Sequence, residues 1–348
     1  MSSSTTPVLP RITFYVPCAA LTARLPSKST EYWSWINDAI RPLENDRGTH
    51  LWLGPYNWTL QSFIHLREAG LDCHLSADLP DSGVIVTHTD FLPPGLLPRR
   101  DQFFVALKPD RSLQQRFAQF VVVQNSYDPV RAGIWRALID SEHIQYWPQP
   151  GLRHRDGSRG DAFENICFMG NRRNFIGAAE DLAYELGTLG LKWMMPERRE
   201  WHDYRAMDAV VAVRPGADHA GVAHMDPDRK PASKLYNAWL AGVPAVLSPD
   251  VAFRQLRRSE LDFIEARDIH DIVCALRRLR VDRDLRRRMV ENGRTRATEF
   301  TAVRIAATWL SLFEERIVPA YKEWVSSRRR RSWFHISRRL LHWFGGST

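Results

Sequence analysis

The chain has 348 residues, of which 44% are hydrophobic and 25% charged. At ~150 residues per domain this length suits two domains, and the composition excludes a wholly disordered or fibrous chain. The formal net charge is +8, but six arginines and no acid lie in residues 326–348, so the other 325 residues carry only +2. A nucleic-acid-binding domain would spread its positive charge over a body surface, so the distribution argues against nucleic acid as a partner.

No apolar stretch approaches the ~18 to 20 residues that span a bilayer. Met1–Pro10 lacks the basic and apolar regions of a secretory signal. Cys18, Cys73, Cys167 and Cys274 have no CxxC spacing and read as reduced thiols. These features predict a cytoplasmic protein.

In chain order, Arg11–Val16 predicts a buried strand and Tyr32–Ile40 a helix. His50–Leu53 predicts a second strand, Gly54-Pro55-Tyr56-Asn57 a turn, and Thr59–Ala69 a helix closed by Gly70. Further strands are predicted at Gly83–Thr87, Phe103–Leu107 and Phe120–Gln124. Continuous apolar runs without alternation fit parallel strands buried on both faces. Residues 148–164, rich in Pro, Gly and Arg, read as a linker. The pattern then restarts. Strands are predicted at Asn165–Met169, Asp208–Val213, Ala245–Leu247 and Asp262–Glu265. Helices are predicted at Phe175–Gly187, Pro231–Leu240, Ile269–Leu279, Arg283–Thr298 and Thr301–Ile317. The division is therefore an α/β domain over 1–147, a linker over 148–164, a second α/β domain over 165–318 and a basic tail over 319–348.

The most informative segment is Asp228–Leu247, DRKPASKLYNAWLAGVPAVL. Pro231 suits a helix first turn, Gly242 the position just past its end, and Pro244 prevents continuation. Lys230, Lys234 and Asn237 fall at i, i+4 and i+7, with Ser233 beside them. They make a polar stripe starting at a helix N-terminus, whose free N–H groups already favour an anion. A solvated lysine face would have the same spacing, but only six lysines stand against 42 arginines, and two of the six sit here. The stripe reads as a phosphate site.

This segment resembles the donor-binding motif of GT-B glycosyltransferases. Asn237-Ala238-Trp239-Leu240-Ala241-Gly242-Val243-Pro244-Ala245-Val246 is similar to the E-A-x-x-x-G-x-P-V stretch of the retaining family 4-like group. Ser233-Lys234-Leu235-Tyr236-Asn237-Ala238 resembles the KL-x-NA segment of α1,3-fucosyltransferases. The likeness covers roughly residues 165–318. It implies a GT-B fold: two Rossmann-like domains facing a cleft, with a helical C-terminus. It also implies a glycosyltransferase that moves a sugar from a nucleotide-activated donor to a glycan, lipid-linked or other envelope acceptor. One departure stands out. Where the family 4-like pattern has two glutamates eight positions apart, this chain has Arg229 and Asn237. A non-catalytic sugar- or nucleotide-binding protein of the same fold is therefore the competing reading.

Ligands of open α/β sheets bind outside the carboxyl ends of the strands. Gly170-Asn171-Arg172-Arg173 follows one strand and Arg214 another, and arginine forks suit diphosphate oxygens. The donor set expected from the sequence is Gly170, Arg172, Arg214, Lys230, Ser233, Lys234, Tyr236 and Asn237. Positive groups placed before reaction stabilise a leaving diphosphate, so neither a metal nor another cofactor is expected. In the first half, His88 and Asp90 follow a strand and are the expected catalytic pair, His88 exchanging a proton and Asp90 orienting it. Tyr56 and Trp58 are candidates to stack on a sugar ring. Read as a helix, Trp333–Phe344 gathers Trp333, Phe334, Ile336, Leu340, Leu341, Trp343 and Phe344 on one arc and His335, Arg338, Arg339 and His342 on another. With Arg328–Arg331 before it, this predicts a helix lying on an anionic membrane or docked on the protein's own body.

Overall fold

The structure is a computed structural model that describes residues 10–44, 53–93, 95–110, 117–132, 136, 138–177, 179–214 and 229–344. The chain divides into two compact units. One comprises Met1–Lys28, Pro42–Ile144 and Ala306–Thr348, and the other Ser29–Arg41 and Gln145–Ile305. The sequence predicts domains that are consecutive stretches. Here the end of the chain returns to the first unit, and one early helical segment belongs to the second.

The first unit contains β1 (Ile12–Tyr15), α1 (Ala19–Thr22), part of α2 (Ser29–Glu44), α3 (Leu53–Glu68), β2 (His74–Ser76), β3 (Gly83–His88), β4 (Gln102–Lys108), β5 (Phe120–Val123) and β6 (Asp140–His143). Its six strands lie in the order β2-β1-β3-β4-β5-β6, all parallel. Every residue of β3, β4 and β5 is buried, as strands covered on both faces should be. The expected turn at residues 54–57 is instead the first turn of α3. Pro55 fits there because its missing N–H costs no intrahelical bond. Of the expected strand at 50–53, residues 50–52 lie outside the described residues, and Leu53 opens the helix.

The second unit holds β7 (Asn165–Cys167), α4 (Ala179–Thr188), β8 (Lys192–Met194), β9 (Ala209–Ala212), α5 (Ser233–Ala241), β10 (Ala245–Leu247), α6 (Val251–Leu256), β11 (Ile264–Glu265), α7 (Ile269–Val281) and α8 (Arg283–Ala297). Its parallel strands run β11-β10-β9-β7-β8. The residues 29–41 of α2 belong here: Trp33 donates to the Arg199 carbonyl at 3.0 Å and Arg198 donates to the Asn37 carboxamide at 3.2 Å. The expected linker is fastened to this unit by one carboxylate. Asp208, 2% exposed, accepts from Arg155 at 3.0 Å, from Arg159 at 2.7 Å, and from the backbone N–H groups of Glu164 and Asn165 at 2.9 Å. Burial alone would raise its pKa, but these donors outweigh it and hold the group below the usual carboxylate range.

The chain then continues through α9 (Ala302–Leu312), a π-helical turn at Phe313–Ile317, α10 (Val318–Ser326) and α11 (Arg328–Phe344). The tail helix therefore begins at the arginine run itself. It docks on the first unit. Ser337 and Arg338 are 4% and 1% exposed, Phe334 packs edge-on against Trp324 with centroids 5.1 Å apart, and Arg330 pairs with Glu323 and, at 3.3 Å, with Asp140. Arg338, expected on a solvated arc, is thus a buried residue. Trp333 and Ile336 face outward, 63% and 52% exposed. No helix among the described residues is long and apolar enough to cross a membrane.

Candidate donor site and its counterpart in the first unit

In a doubly wound sheet the strand order reverses where successive connections leave in opposite directions, and the loops there part to leave a crevice. In the second unit that place lies between β7 and β9. The loop after β7 contains Gly170, and Arg214 lies two residues past the end of β9. Helix α5 begins beside them. Gly242 ends α5 in the left-handed region at φ +74°, and its N–H bonds the Trp239 carbonyl at 3.1 Å, so the stop signal read from the sequence is real. The helix starts at Ser233, two residues later than expected.

The structure brings Gly170, Lys234, Arg214 and Lys230 together. A Cβ on Gly170 would lie 2.8 Å from Phe168 Cζ and 3.2 Å from Lys234 Cε, so a side chain there would displace the Phe168 ring and press on Lys234. The Lys234 ammonium lies over the Phe168 ring, 5.4 Å from its centroid. Burial first, then the neighbouring Arg214 and Lys230, lower its pKa from 10.5 to about 7, with Asp250 opposing. Arg214 is 9% exposed, pairs with Asp250 at the N-cap of α6, and stacks 5.5 Å from the Phe253 centroid. Asp250 was not among the expected residues. It is recognisable only as a carboxylate three residues past the end of β10, at another strand's carboxyl end.

Four expected donor residues have partners within the fold. Arg172 is exposed and pairs with Glu180 in the first turn of α4. Tyr236 is fully buried: its ring stacks on Phe300 at 5.2 Å and its hydroxyl donates to the Tyr146 carbonyl at 2.7 Å. The Asn237 carboxamide accepts from the Gln149 N–H at 3.0 Å, tying α5 to the segment before β7. Ser233 opens α5, and its hydroxyl hydrogen-bonds Tyr236. The expected loop at 216–228 lies outside the described residues. Two Asp-x-Asp triplets also occur in the sequence. Asp226-Pro227-Asp228 lies outside the described residues, and in Asp282-Arg283-Asp284 the first aspartate caps α8 while the second pairs with Arg287 at 3.2 Å.

In the first unit the order reverses between β1 and β3, and His88 is the last residue of β3. It is 2% exposed, and its Nδ1 accepts from the Asp90 N–H at 3.2 Å. That bond puts the neutral ring's proton on Nε2. The Asp90 carboxylate lies 3.6 Å from Nδ1, so the ring is oriented by the Asp90 backbone rather than its side chain. Tyr56 and Trp58 are 7% and 3% exposed and pack inward against Phe91 and His88, with centroids 4.8 and 6.2 Å away.

This architecture is similar to that of solved structures. The structures of HepE from Anabaena with UDP and glucose and with UDP-glucose each align at a TM-score of 0.51. Each covers 88% of this chain and 100% of that chain, at 10% and 11% identity. The chain has the GT-B fold. AviGT4, a glycosyltransferase involved in avilamycin A biosynthesis, aligns at a TM-score of 0.49 and 14% identity over 89% of this chain and 98% of that one. No protein-family model matches the sequence, and no curated protein sequence matches it significantly.

Proposed function

We propose that the protein is a glycosyltransferase that takes its sugar from a nucleoside diphosphate donor and passes it to a glycan, lipid-linked or other envelope acceptor. The observation that carries this reading is the meeting of Gly170, Arg214, Lys230 and Lys234 where the second sheet reverses its strand order. HepE binds UDP and UDP-glucose on the same fold.

In the reaction, an acceptor hydroxyl oxygen bonds to the anomeric carbon and the bond from that carbon to the diphosphate breaks. The electron pair leaves on the diphosphate, where Lys234, Lys230 and Arg214 stabilise it before any reorganisation. These cations allow the step to run without a metal. On the acceptor side, His88 with its proton on Nε2 serves as a hydrogen-bond donor. The part-exposed Asp90 carboxylate is then the group suited to take the acceptor's proton. This reverses the roles expected from the sequence.

The test is product formation across a panel of nucleotide sugars, with magnesium and with chelator. Transfer or donor hydrolysis that survives chelation supports the reading, and strict magnesium dependence would remove its metal-free step. The competing reading, a nucleotide-sugar-binding protein without turnover, is favoured by Arg229 and Asn237 at the glutamate positions and predicts binding without either reaction. The place of action belongs to the same proposal: exposed Trp333 and Ile336, with Arg328, Arg329 and Arg339 also exposed on α11, suit the cytoplasmic face of an anionic membrane. Flotation with anionic vesicles should weaken in a Trp333→Ser, Ile336→Ser double variant, and equal flotation would remove this part.

A further inference from the structure

We propose that the cavity beneath α11 in the first unit is an oxyanion site, where Arg338 presents two adjacent N–H groups to a phosphate group. The cavity measures about 260 Å³, far beyond the ~15 Å³ that one water needs. Its lining includes Arg136, Asp140, Trp324, Arg330, Trp333 and Arg338.

The cavity contains donors that the fold does not satisfy. Arg338 is 1% exposed; its Nη2 donates to the Ala118 carbonyl at 3.1 Å, while Nε and Nη1 have no partner among the described residues. Trp324, also 1% exposed, leaves its indole N–H unpaired on the same cavity. Buried donors are almost always bonded, and leaving a guanidinium edge unpaired is costly, so the arrangement asks for an acceptor. Nη2 carries a second hydrogen beside that of either Nε or Nη1, and the planar edge the two form matches two oxygens of a tetrahedral anion. The surrounding charge agrees. Three arginines line the cavity against one acid, and that acid, Asp140, is held by Arg330 at 3.3 Å. Burial, only partly offset by Asp140, lowers the Arg338 pKa to about 10, a penalty that a bound anion relieves. Three arginines around one cavity favour a multiply charged anion over a carboxylate, so phosphate is the better fit.

The phosphate can be a free ion or the headgroup of a lipid beneath the exposed Trp333 and Ile336. Two arms separate these sources. Calorimetric titration of the full chain with inorganic phosphate, against chloride at equal ionic strength, reads the free ion. Flotation on phosphatidylcholine vesicles with and without phosphatidic acid, in the presence and absence of inorganic phosphate, reads the headgroup. Arg338→Lys keeps the charge but removes the planar edge. Arg136→Gln removes an exposed lining cation whose loss does not disturb the core. Saturable phosphate binding, weakened about tenfold by both variants, supports a free-ion site. Phosphatidic-acid binding that free phosphate competes away, and that both variants weaken, supports a headgroup site. If phosphate gives no more heat than chloride and the variants float like the wild type, the site does not exist. Should Arg338→Lys fail to fold, Arg136→Gln decides alone.

Discussion

The Lys234 amine links nucleotide affinity and protein stability to pH with opposite signs. Its pKa in the ligand-free protein is about 7, against 10.5 for an unhindered lysine. A diphosphate needs the charged form. At pH 7 about half the molecules carry that charge, and at pH 9 about one in a hundred do, so UDP affinity should fall about fifty-fold, or ~2.3 kcal/mol at ~1.36 kcal/mol per pKa unit. The ordinary phosphate pKa near ~6 lies below this window and adds little. Stability runs the other way. Above pH 7 the unfolded chain still binds the proton that the folded protein has released, so folding gains ~1.4 kcal/mol per pH unit up to about 10. Lys234→Met has neither dependence. Calorimetry at pH 7, 8 and 9, in buffers of different ionisation enthalpy, should find proton uptake rising from about half a proton to nearly one. Urea denaturation should show the wild type gaining on Lys234→Met between pH 7.5 and 9.5, by roughly 2 to 3 kcal/mol. Flat UDP affinity from pH 7 to 9, or the same slope in Lys234→Met, would refute the assignment of Lys234 to the diphosphate.

Asp250→Ala leaves the Arg214 guanidinium buried without its carboxylate, and should cost ~3 to 5 kcal/mol in urea denaturation; a loss under ~1 kcal/mol would mean that the pair is not desolvated. Gly170→Ala forces its Cβ against Phe168 and Lys234, and should weaken UDP binding about tenfold while costing ~1 to 3 kcal/mol of stability; unchanged affinity would separate Gly170 from the site. Tyr236→Phe removes the bonds to the Tyr146 carbonyl and the Ser233 hydroxyl, so thermal denaturation should report a loss of ~1 to 2 kcal/mol and calorimetry an unchanged UDP affinity.

The central strands were legible because they are buried on both faces and therefore spelled in continuous apolar residues: Ile12–Tyr15, Gly83–His88, Phe120–Val123 and Ala245–Leu247 all lie inside or beside the expected runs. The strands missed, His74–Ser76, Asp140–His143 and Lys192–Met194, are all edges, where one side faces away from the sheet and polar residues are tolerated. Residues 54–57 misled for a different reason. Gly-Pro-Tyr-Asn has turn composition, but proline in a helix first turn has the same composition, and only the packing of Tyr56 and Trp58 decides between them. The return of 306–348 to the first unit has no local signal, because it depends on contacts far apart in the sequence.

The site was legible where local chemistry defines it and opaque where a partner does. Strand ends and a helix start are local, so the meeting of Gly170, Arg214 and Lys234 is legible in the sequence. Tyr236 and Asn237 share the helix with Lys234, but most of α5 is buried, and a polar residue on a buried helix satisfies itself within the fold before it can face a ligand. The Arg214–Asp250 pair changes the meaning of the charge. Arg214, Lys230 and Lys234 formally sum to +3, and Asp250 brings this to +2. Lys234 has meanwhile been driven so close to neutral that the empty site carries less still. Such a site does not gather cations freely: it holds one lysine in a desolvated position that only an incoming anion makes favourable. Asp250 fixes the arginine and limits the repulsion on Lys234. Removing Asp250 should therefore do more than destabilise the fold. It should lower the Lys234 pKa further and move the pH at which UDP affinity begins to fall to a more acidic value.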